Sequence, residues 1–241
     1  MNAYGPELAA AHHAGYGHTA RGAARVLAQE LARGGVNGGL VVDLGAGTGI
    51  LAKEIGDLGF DVLGVDISPD MVAIAETTAP AAHFIVSSFV DVEIPPCVAV
   101  TMVGEIVNYA FDPRSGRAQL SPLFARVHDA LVPGGVLLFD AAGPGRAGPT
   151  GDRCNARDAG ESFVAAHAVQ AGDVLTRDIT MFTRDGEQWR RSDEHHTLHL
   201  YDPADLIAAL RAAGFRVRRM RTYDGVDLGP GMAVLLARKP R

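Results

Sequence analysis

The feature that most restricts the fold of this 241-residue chain is Val41-Val42-Asp43-Leu44-Gly45-Ala46-Gly47-Thr48-Gly49-Ile50-Leu51-Ala52, followed by Asp66 at the end of Val62-Leu63-Gly64-Val65-Asp66. An apolar, β-branched run leads into a glycine-rich turn and the start of a helix, and a second apolar run ends on an acid. Glycine tolerates positive φ and carries no Cβ, so such a turn lets backbone approach a ligand closely. The free N–H groups of the helix start favour a polar or anionic ligand group. An acid at the tip of the neighbouring parallel strand stands where ribose hydroxyls would lie. The pattern implies a nucleoside-containing cofactor; the alternative is a tight strand–helix turn without a ligand.

Spacing narrows the cofactor. Dinucleotide folds use G-x-G-x-x-G to set a pyrophosphate on the helix dipole, whereas the glycines here follow G-x-G-x-G behind Asp43. An acid is a poor neighbour for a pyrophosphate and a better one for a cation. The run Val42-Asp43-Leu44-Gly45-Ala46-Gly47-Thr48-Gly49 resembles the first motif of the class I S-adenosylmethionine-dependent methyltransferases, and Asp66 matches that family's ribose-binding acid. The turn Leu131-Val132-Pro133-Gly134-Gly135 and a closing helix–strand–strand unit resemble the same family, so the likeness covers nearly all of the chain outside one insertion. It implies S-adenosyl-L-methionine as cofactor and a methyltransferase as the activity.

Strands at 40–44, 61–66, 83–86, 97–103 and 136–140 alternate with helices at 48–58, 69–77 and 122–131. Ser68 is a natural N-cap and Pro69 suits the first helical position. Residues 97–103 lack polar alternation, as a strand covered on both faces should. A helix at 203–213, capped by Asp202, and strands at 216–223 and 232–238 close the chain. This order implies an α/β fold with a doubly wound, mostly parallel sheet, seven-stranded in the methyltransferase family. Residues 40–141 and 200–241 form that core. Residues 1–39 form a helical cap, read as helices at 6–14 and 19–33 around a flexible hinge at 13–18.

Residues 142–199 interrupt the rhythm. A Gly/Pro-rich stretch at 143–151 precedes strand-like runs at 162–170, 174–183 and 188–199, joined by Ala171-Gly172-Asp173 and Arg184-Asp185-Gly186-Glu187, which have hairpin chemistry. We read a three-stranded antiparallel insertion leaving the carboxyl edge of the sheet, where ligands bind in such folds, and hence a β lid. The alternative is a dimerisation or purely stabilising sheet, and a homodimer is left open.

The net charge of −6 argues against nucleic acid, whose binders present basic surfaces. The cluster Arg216, Arg218, Arg219 and Arg221 alternates with apolar residues and reads as a solvated strand face. No apolar run approaches the ~20 residues of a membrane span, and no signal peptide is legible at the N-terminus. Cys97 and Cys154 form no metal-ligand cluster in sequence and read as free thiols of a reducing compartment. The expectation is a cytoplasmic protein acting on a small-molecule acceptor, with no metal, membrane or nucleic acid.

The resemblance assigns the backbone of Gly45, Ala46, Gly47 and Gly49 to the methionine part and ribose, with Asp43 toward the sulfonium or amino group. Asp66 would accept from the ribose, and Ile67 and Met71 would line the adenine, core packing being the alternative for Met71. The family's adenine-binding acid after the third strand is absent, and Ser88 or the Phe89 backbone would serve instead. Tyr16 would fold over the cofactor. Arg21 would pair with the methionine carboxylate, an exposed helix position being the alternative.

Glu105 follows the fourth strand directly, and a carboxylate there needs a partner or a cation. It would attract the sulfonium or orient substrate, unless it is simply a helix-start acid. Asn108 and Tyr109 would touch the acceptor. In 189–200, strand alternation puts Glu194, His196, Leu198 and Leu200 on one face. His196 would then be a base oriented by Glu194, with a His-rich metal site or plain strand polarity as rivals. The leading reading is methyl transfer to an O or N atom of a small molecule under the lid. The alternatives are a cofactor-binding sensor or partner subunit without activity, and a macromolecule methyltransferase.

Overall fold

β1 (Leu40–Leu44) has no polar alternation, and it lies at the centre of a sheet covered on both faces, with Val41, Val42 and Leu44 inaccessible to solvent. The structure, a computed structural model, describes residues 4–158 and 161–241, the side chain of Tyr16 excepted. From the N-terminus, α1 (Pro6–Arg33) precedes β1; α2 (Ile50–Gly56), β2 (Asp61–Asp66), α3 (Pro69–Thr78) and β3 (His83–Val86) follow. β4 (Cys97–Met102) leads through a 3-10 turn at Ile106–Asn108 to α4 (Arg117–Ala130) and β5 (Leu131–Ala142). The insertion holds β6 (Asp152–Asp158), β7 (Ser162–Ala171), β8 (Val174–Asp185) and β9 (Gln188–His199). α5 (Pro203–Ala212), β10 (Arg216–Met220) and β11 (Met232–Arg238) complete the core.

The large sheet runs β3-β2-β1-β4-β5-β11-β10, parallel from β3 to β5 and antiparallel at β11 and β10. The order reverses between β1 and β4, so the ligand crevice lies outside the carboxyl ends of those strands. One face is covered by α1, α2 and α3, with Leu27, Leu31, Ile55 and Ala75 in its core; the other is covered by α4 and α5 through Phe124, Val127, Leu206 and Leu210. The second sheet, β6-β7-β8-β9, is antiparallel throughout. It meets the core through Leu175, Leu198 and Leu200 against Tyr109 and Ala142, and α1 through Ile179 and Met181 against Leu8 and Ala11.

Several expectations need correction. The cap is one 28-residue helix rather than two. Its glycines are contact positions, not a hinge: a Cβ at Gly17 would stand 3.0 Å from Ile50 Cδ1, and one at Gly22 2.7 Å from the Tyr223 carbonyl oxygen. The ~1 kcal/mol by which glycine disfavours a helix is offset where only glycine allows that approach. The inserted sheet has four strands rather than three. β6, of sequence Asp-Arg-Cys-Asn-Ala-Arg-Asp, is exposed along its length and shows no apolar alternation, so its pairing with β7 left no local trace.

α4 begins five residues before Pro122, which sits inside it, and α2 is shorter than 48–58. β5 starts at Leu131 and absorbs Pro133-Gly134-Gly135 as a register shift opposite Cys97 and Ala99. β10 ends at Met220 rather than at residue 223; Arg216, Arg218 and Arg219 are exposed along it, as expected of a solvated face, and Arg218 also donates to the buried Glu30 of α1 (2.7 Å). Among the described residues no helix is long and apolar enough to cross a membrane.

Candidate active site

The three loop glycines serve three purposes. Gly45 (φ +75°) donates its N–H to the Val65 carbonyl (2.7 Å), and a Cβ there would run into Ile106. Gly49 (φ +76°) is the N-cap of α2, and its Cβ would press on Ala75 of α3 at 3.0 Å. Gly47 (φ +53°) has open space where a Cβ would project, on the wall of a cavity of about 560 Å³. That bare backbone is a cradle that a ligand can fill. Ala46 donates to the Val65 carbonyl (2.9 Å); it and Gly49 build the turn without lining the cavity.

Asp66 ends β2 beside the cradle. Its carboxylate accepts from the N–H groups of Gly47 (2.8 Å) and Ser68 (2.9 Å), which aim it along the cavity wall. Burial raises its carboxyl above the ordinary range, against those two hydrogen bonds and one from Ile67. Ile67, Met71, Ser88 and Phe89 line the same space. The neighbouring Asp112 is held by Arg114, which also grips Asp91 through both guanidinium branches.

At the end of β4 the chain turns sharply, with Glu105 in the left-handed region (φ +63°), an uncommon conformation for a residue with a side chain. Asp140 of β5 holds that turn by accepting from Gly104 N–H (2.8 Å), Glu105 N–H (2.6 Å) and the Tyr223 hydroxyl (3.0 Å). The Glu105 carboxylate takes Arg146 Nε at 2.5 Å and Arg177 Nη2 at 3.2 Å. Burial would push that carboxyl up, but the Arg177 and Arg146 guanidiniums together hold it low. The Tyr109 hydroxyl meets that of Tyr4 (2.9 Å) and Arg177 Nη1 (3.4 Å), and its ring stacks on Phe111 at 4.7 Å. Burial pushes both phenols up, so they serve as neutral hydrogen-bonding groups.

Other expected site residues lie elsewhere. Asp43 is buried beneath the loop, accepts from Thr101 Oγ1 (2.6 Å) and does not line the cavity. Arg21 faces solvent beside Glu54 (3.5 Å). Asn108 is a structural clamp, donating to the carbonyls of Ala142 (2.8 Å) and His199 (2.6 Å) and accepting from Ala142 N–H (2.9 Å). The side chain of Tyr16 lies outside the described residues.

Glu194 and His196 do form the anticipated pair (2.8 Å), yet neither lines the cavity. His196 is inaccessible behind the rings of Tyr4, Tyr109 and Phe111, and among the described residues its Nδ1 has no hydrogen-bond partner. The other Glu194 oxygen accepts from Gly5 N–H (2.8 Å), and Ser68 Oγ donates to the Tyr4 carbonyl (2.9 Å). The pair thus helps to pin the start of α1 against the inserted sheet.

Sequence reading missed Tyr4, His12, Arg146, Arg153 and Arg177, all of which line the cavity. Burial, then the neighbouring His13, lowers the His12 imidazole to about 4. The only local signal was at Leu175-x-Arg177-x-Ile179, where alternation places an arginine on an apolar face. Sequence spacing also hid a cross-strand group: Asp152, Cys154 and His167 bring ligand-type atoms within 4.8 Å of one another on the exposed side of β6 and β7.

A family model described as a methyltransferase domain matches residues 16–219. A protein of Geobacillus sp. (strain WCH70), named as an unproven methyltransferase, is 27% identical over 199 residues, 79% of this chain and 78% of its own. The fold is similar to that of an S-adenosylmethionine-dependent methyltransferase from Clostridium acetobutylicum, with a TM-score of 0.78 and 21% identity over 91% of this chain and 92% of that one. It is similar too to CalS10 of Micromonospora echinaspora, an amino pentose methyltransferase solved with S-adenosylmethionine bound, with a TM-score of 0.77 and 21% identity over 99% of both chains.

Proposed function

The chain belongs to the methyltransferase-domain family, and from that premise we propose that it transfers the methyl group of S-adenosylmethionine to an O or N atom of a small molecule. The observation that carries this reading is a single cavity lined by Gly47 and Asp66 on the core side and by the inner face of the inserted sheet on the other. Cofactor loop and acceptor wall share one space. When bound, S-adenosylmethionine supplies a methyl group already activated on a sulfonium.

The rest falls to the chain's own residues. Asp66, fixed by two backbone donors, accepts from vicinal hydroxyls; Ile67 and Met71 offer an apolar surface for a base; Gly47 lets backbone come close. Tyr4 and Tyr109, linked through their hydroxyls, wall the acceptor side and exclude water. Holding an acceptor in line is worth up to ~7–11 kcal/mol in well-oriented intramolecular reactions; an amine attacks through its lone pair and releases its proton to water after transfer, whereas an alcohol must lose its proton to a base as it attacks. The acid clamp Arg146–Glu105–Arg177 keeps the β4 turn and the lid in fixed relation.

Two measurements test the reading. Calorimetry should show binding of S-adenosylmethionine and S-adenosylhomocysteine. A screen of small amines and alcohols should give acceptor-dependent release of S-adenosylhomocysteine. Binding without turnover across a broad library would instead favour a sensor.

A further inference from the structure

Resting on that reading of the cavity, we propose that the inserted sheet carries a subsite for an anionic group of the acceptor, a carboxylate or a phosphate, held between Arg153 and Arg177. Strand register places the two together. Arg153 of β6 pairs with Ala168 of β7, which pairs with Arg177 of β8. The next row on the same face repeats the arrangement with Asn155, Ala166 and Ile179. Neighbouring strands lie about 4.8 Å apart, so the two arginine Cα atoms stand roughly 10 Å apart with a methyl group between them. The inner face of the sheet is thus a trough floored by Ala166 and Ala168 and edged by cations, and all these residues line the cavity.

The donors in that trough are underused. Among the described residues Arg153 has neither a hydrogen-bond nor an ion-pair partner. Arg177, with a side chain only 16% exposed, spends donors on Glu105 (3.2 Å) and on Tyr109 Oη (3.4 Å), while a guanidinium carries five. The other acids of the cavity wall are engaged elsewhere: Glu105 is shared with Arg146, Asp140 holds the β4 turn and Tyr223, and Asp227 accepts from Gly229 N–H. Bare donors on the largely buried Arg177 are costly, and the exposed Arg153 reaches the same space with its guanidinium uncommitted; a carboxylate or phosphate matches the fork geometry of both. A neutral acceptor leaves them bare. An acceptor with an anionic group set away from its reacting O or N fills the trough and is oriented by it.

The test uses the intact protein and acceptors in matched sets differing only by a carboxylate, a phosphate or a neutral group at one position. Turnover should favour one charged member, with a KM at least about tenfold below that of its neutral counterpart. R153Q, at an exposed strand position, should erase that difference through KM. The carboxylate and phosphate arms identify the source of the anion. Equal KM values within the sets, or R153Q raising both alike, would overturn the proposal.

A parallel titration of inorganic phosphate and of acetate into protein saturated with S-adenosylhomocysteine should show one anion binding, weakened about tenfold or more in R153Q. Anion binding identical in the two proteins overturns the subsite. If R153Q weakens S-adenosylhomocysteine itself and spares acceptor discrimination, the guanidinium serves the amino-acid end of the cofactor and the proposal fails. Anion binding that persists in a protein unable to bind the cofactor would sink the methyl-transfer reading while leaving the subsite standing.

Discussion

Asp43 and Asp140, both buried, and the half-buried Asp66 lie at or near the carboxyl ends of β1, β5 and β2 and do different work because their partners differ. Asp66 has backbone donors on both oxygens and an open cavity beside it. Asp66→Ala should weaken cofactor binding at least about tenfold, the worth of a charge-assisted hydrogen bond; wild-type affinity by calorimetry would remove it from the ribose site.

Asp43 has no ligand face. Burial, outweighing the Thr101 hydrogen bond and reinforced by the charge of Asp66, pushes its carboxyl up to about 7. A folded-state value raised above the unfolded one, near 4, means a contribution that is full below that value and lost as pH climbs through 7. Asp43→Asn removes that titration. Between pH 5 and pH 8 the variant should therefore lose about 3 kcal/mol less stability than the wild type in urea unfolding. Parallel pH profiles would show that Asp43 ionises freely.

His196 offers a third test. Its imidazole is walled off from the cavity, so His196→Gln should cost about 1–3 kcal/mol of stability through the disturbed pair with Glu194. The shape of the pH–rate profile should not change. Loss of a limb of that profile would return His196 to the chemistry.

At the scale of elements, α1 and β6 show how a sequence signal can mislead or be absent. Gly15 and Gly17 look like a hinge in a chain read locally, since glycine is the commonest helix interruption. In the fold a Cβ at Gly15 would stand 3.0 Å from the Arg157 guanidinium of β6, and one at Gly17 3.0 Å from Ile50 of α2. Gly22 carries the clearest consequence, because the atom facing its missing Cβ is a backbone oxygen that cannot swing away. Gly22→Ala should destabilise by about 1–3 kcal/mol, as overpacking does, although alanine is the better helix former. A stabilised variant would mean that the contact yields. β6 is the opposite case, a strand whose polar sequence carries no periodic signal and whose pairing is supplied by β7. Arg153 could not be aimed until that pairing was known.

On the scale of the whole molecule, the inserted sheet, the start of α1 and the β4 turn are tied together around the cavity. Tyr4 meets Tyr109 across 105 residues of chain, Arg177 reaches Glu105 across 72, and Glu194 holds Gly5 across 189. Elements joined this way should respond together. Adding S-adenosylhomocysteine should slow amide exchange in the first turns of α1 and in β8 and β9, as well as in the glycine loop. Protection confined to the loop and β2 would show that the lid closes independently of the cofactor.

What the sequence determined by itself was whatever a short stretch of chain encodes. The glycine loop, the acid ending β2, the N-caps Ser68 and Asp202, and the alternation of strands and helices each lie within a few turns of chain, so spacing alone places them. The end of the cavity lined by Gly47 and Asp66 was legible for that reason. Which polar side chains line the rest of the cavity was decided only by tertiary structure. Asn108, His196 and Asp43 are engaged by groups remote in sequence, and Arg146, Arg153 and Arg177 are brought to the cavity by strand pairing and loop closure. Those contacts depend on register across the inserted sheet and on how it docks, and neither has a counterpart in local composition or period.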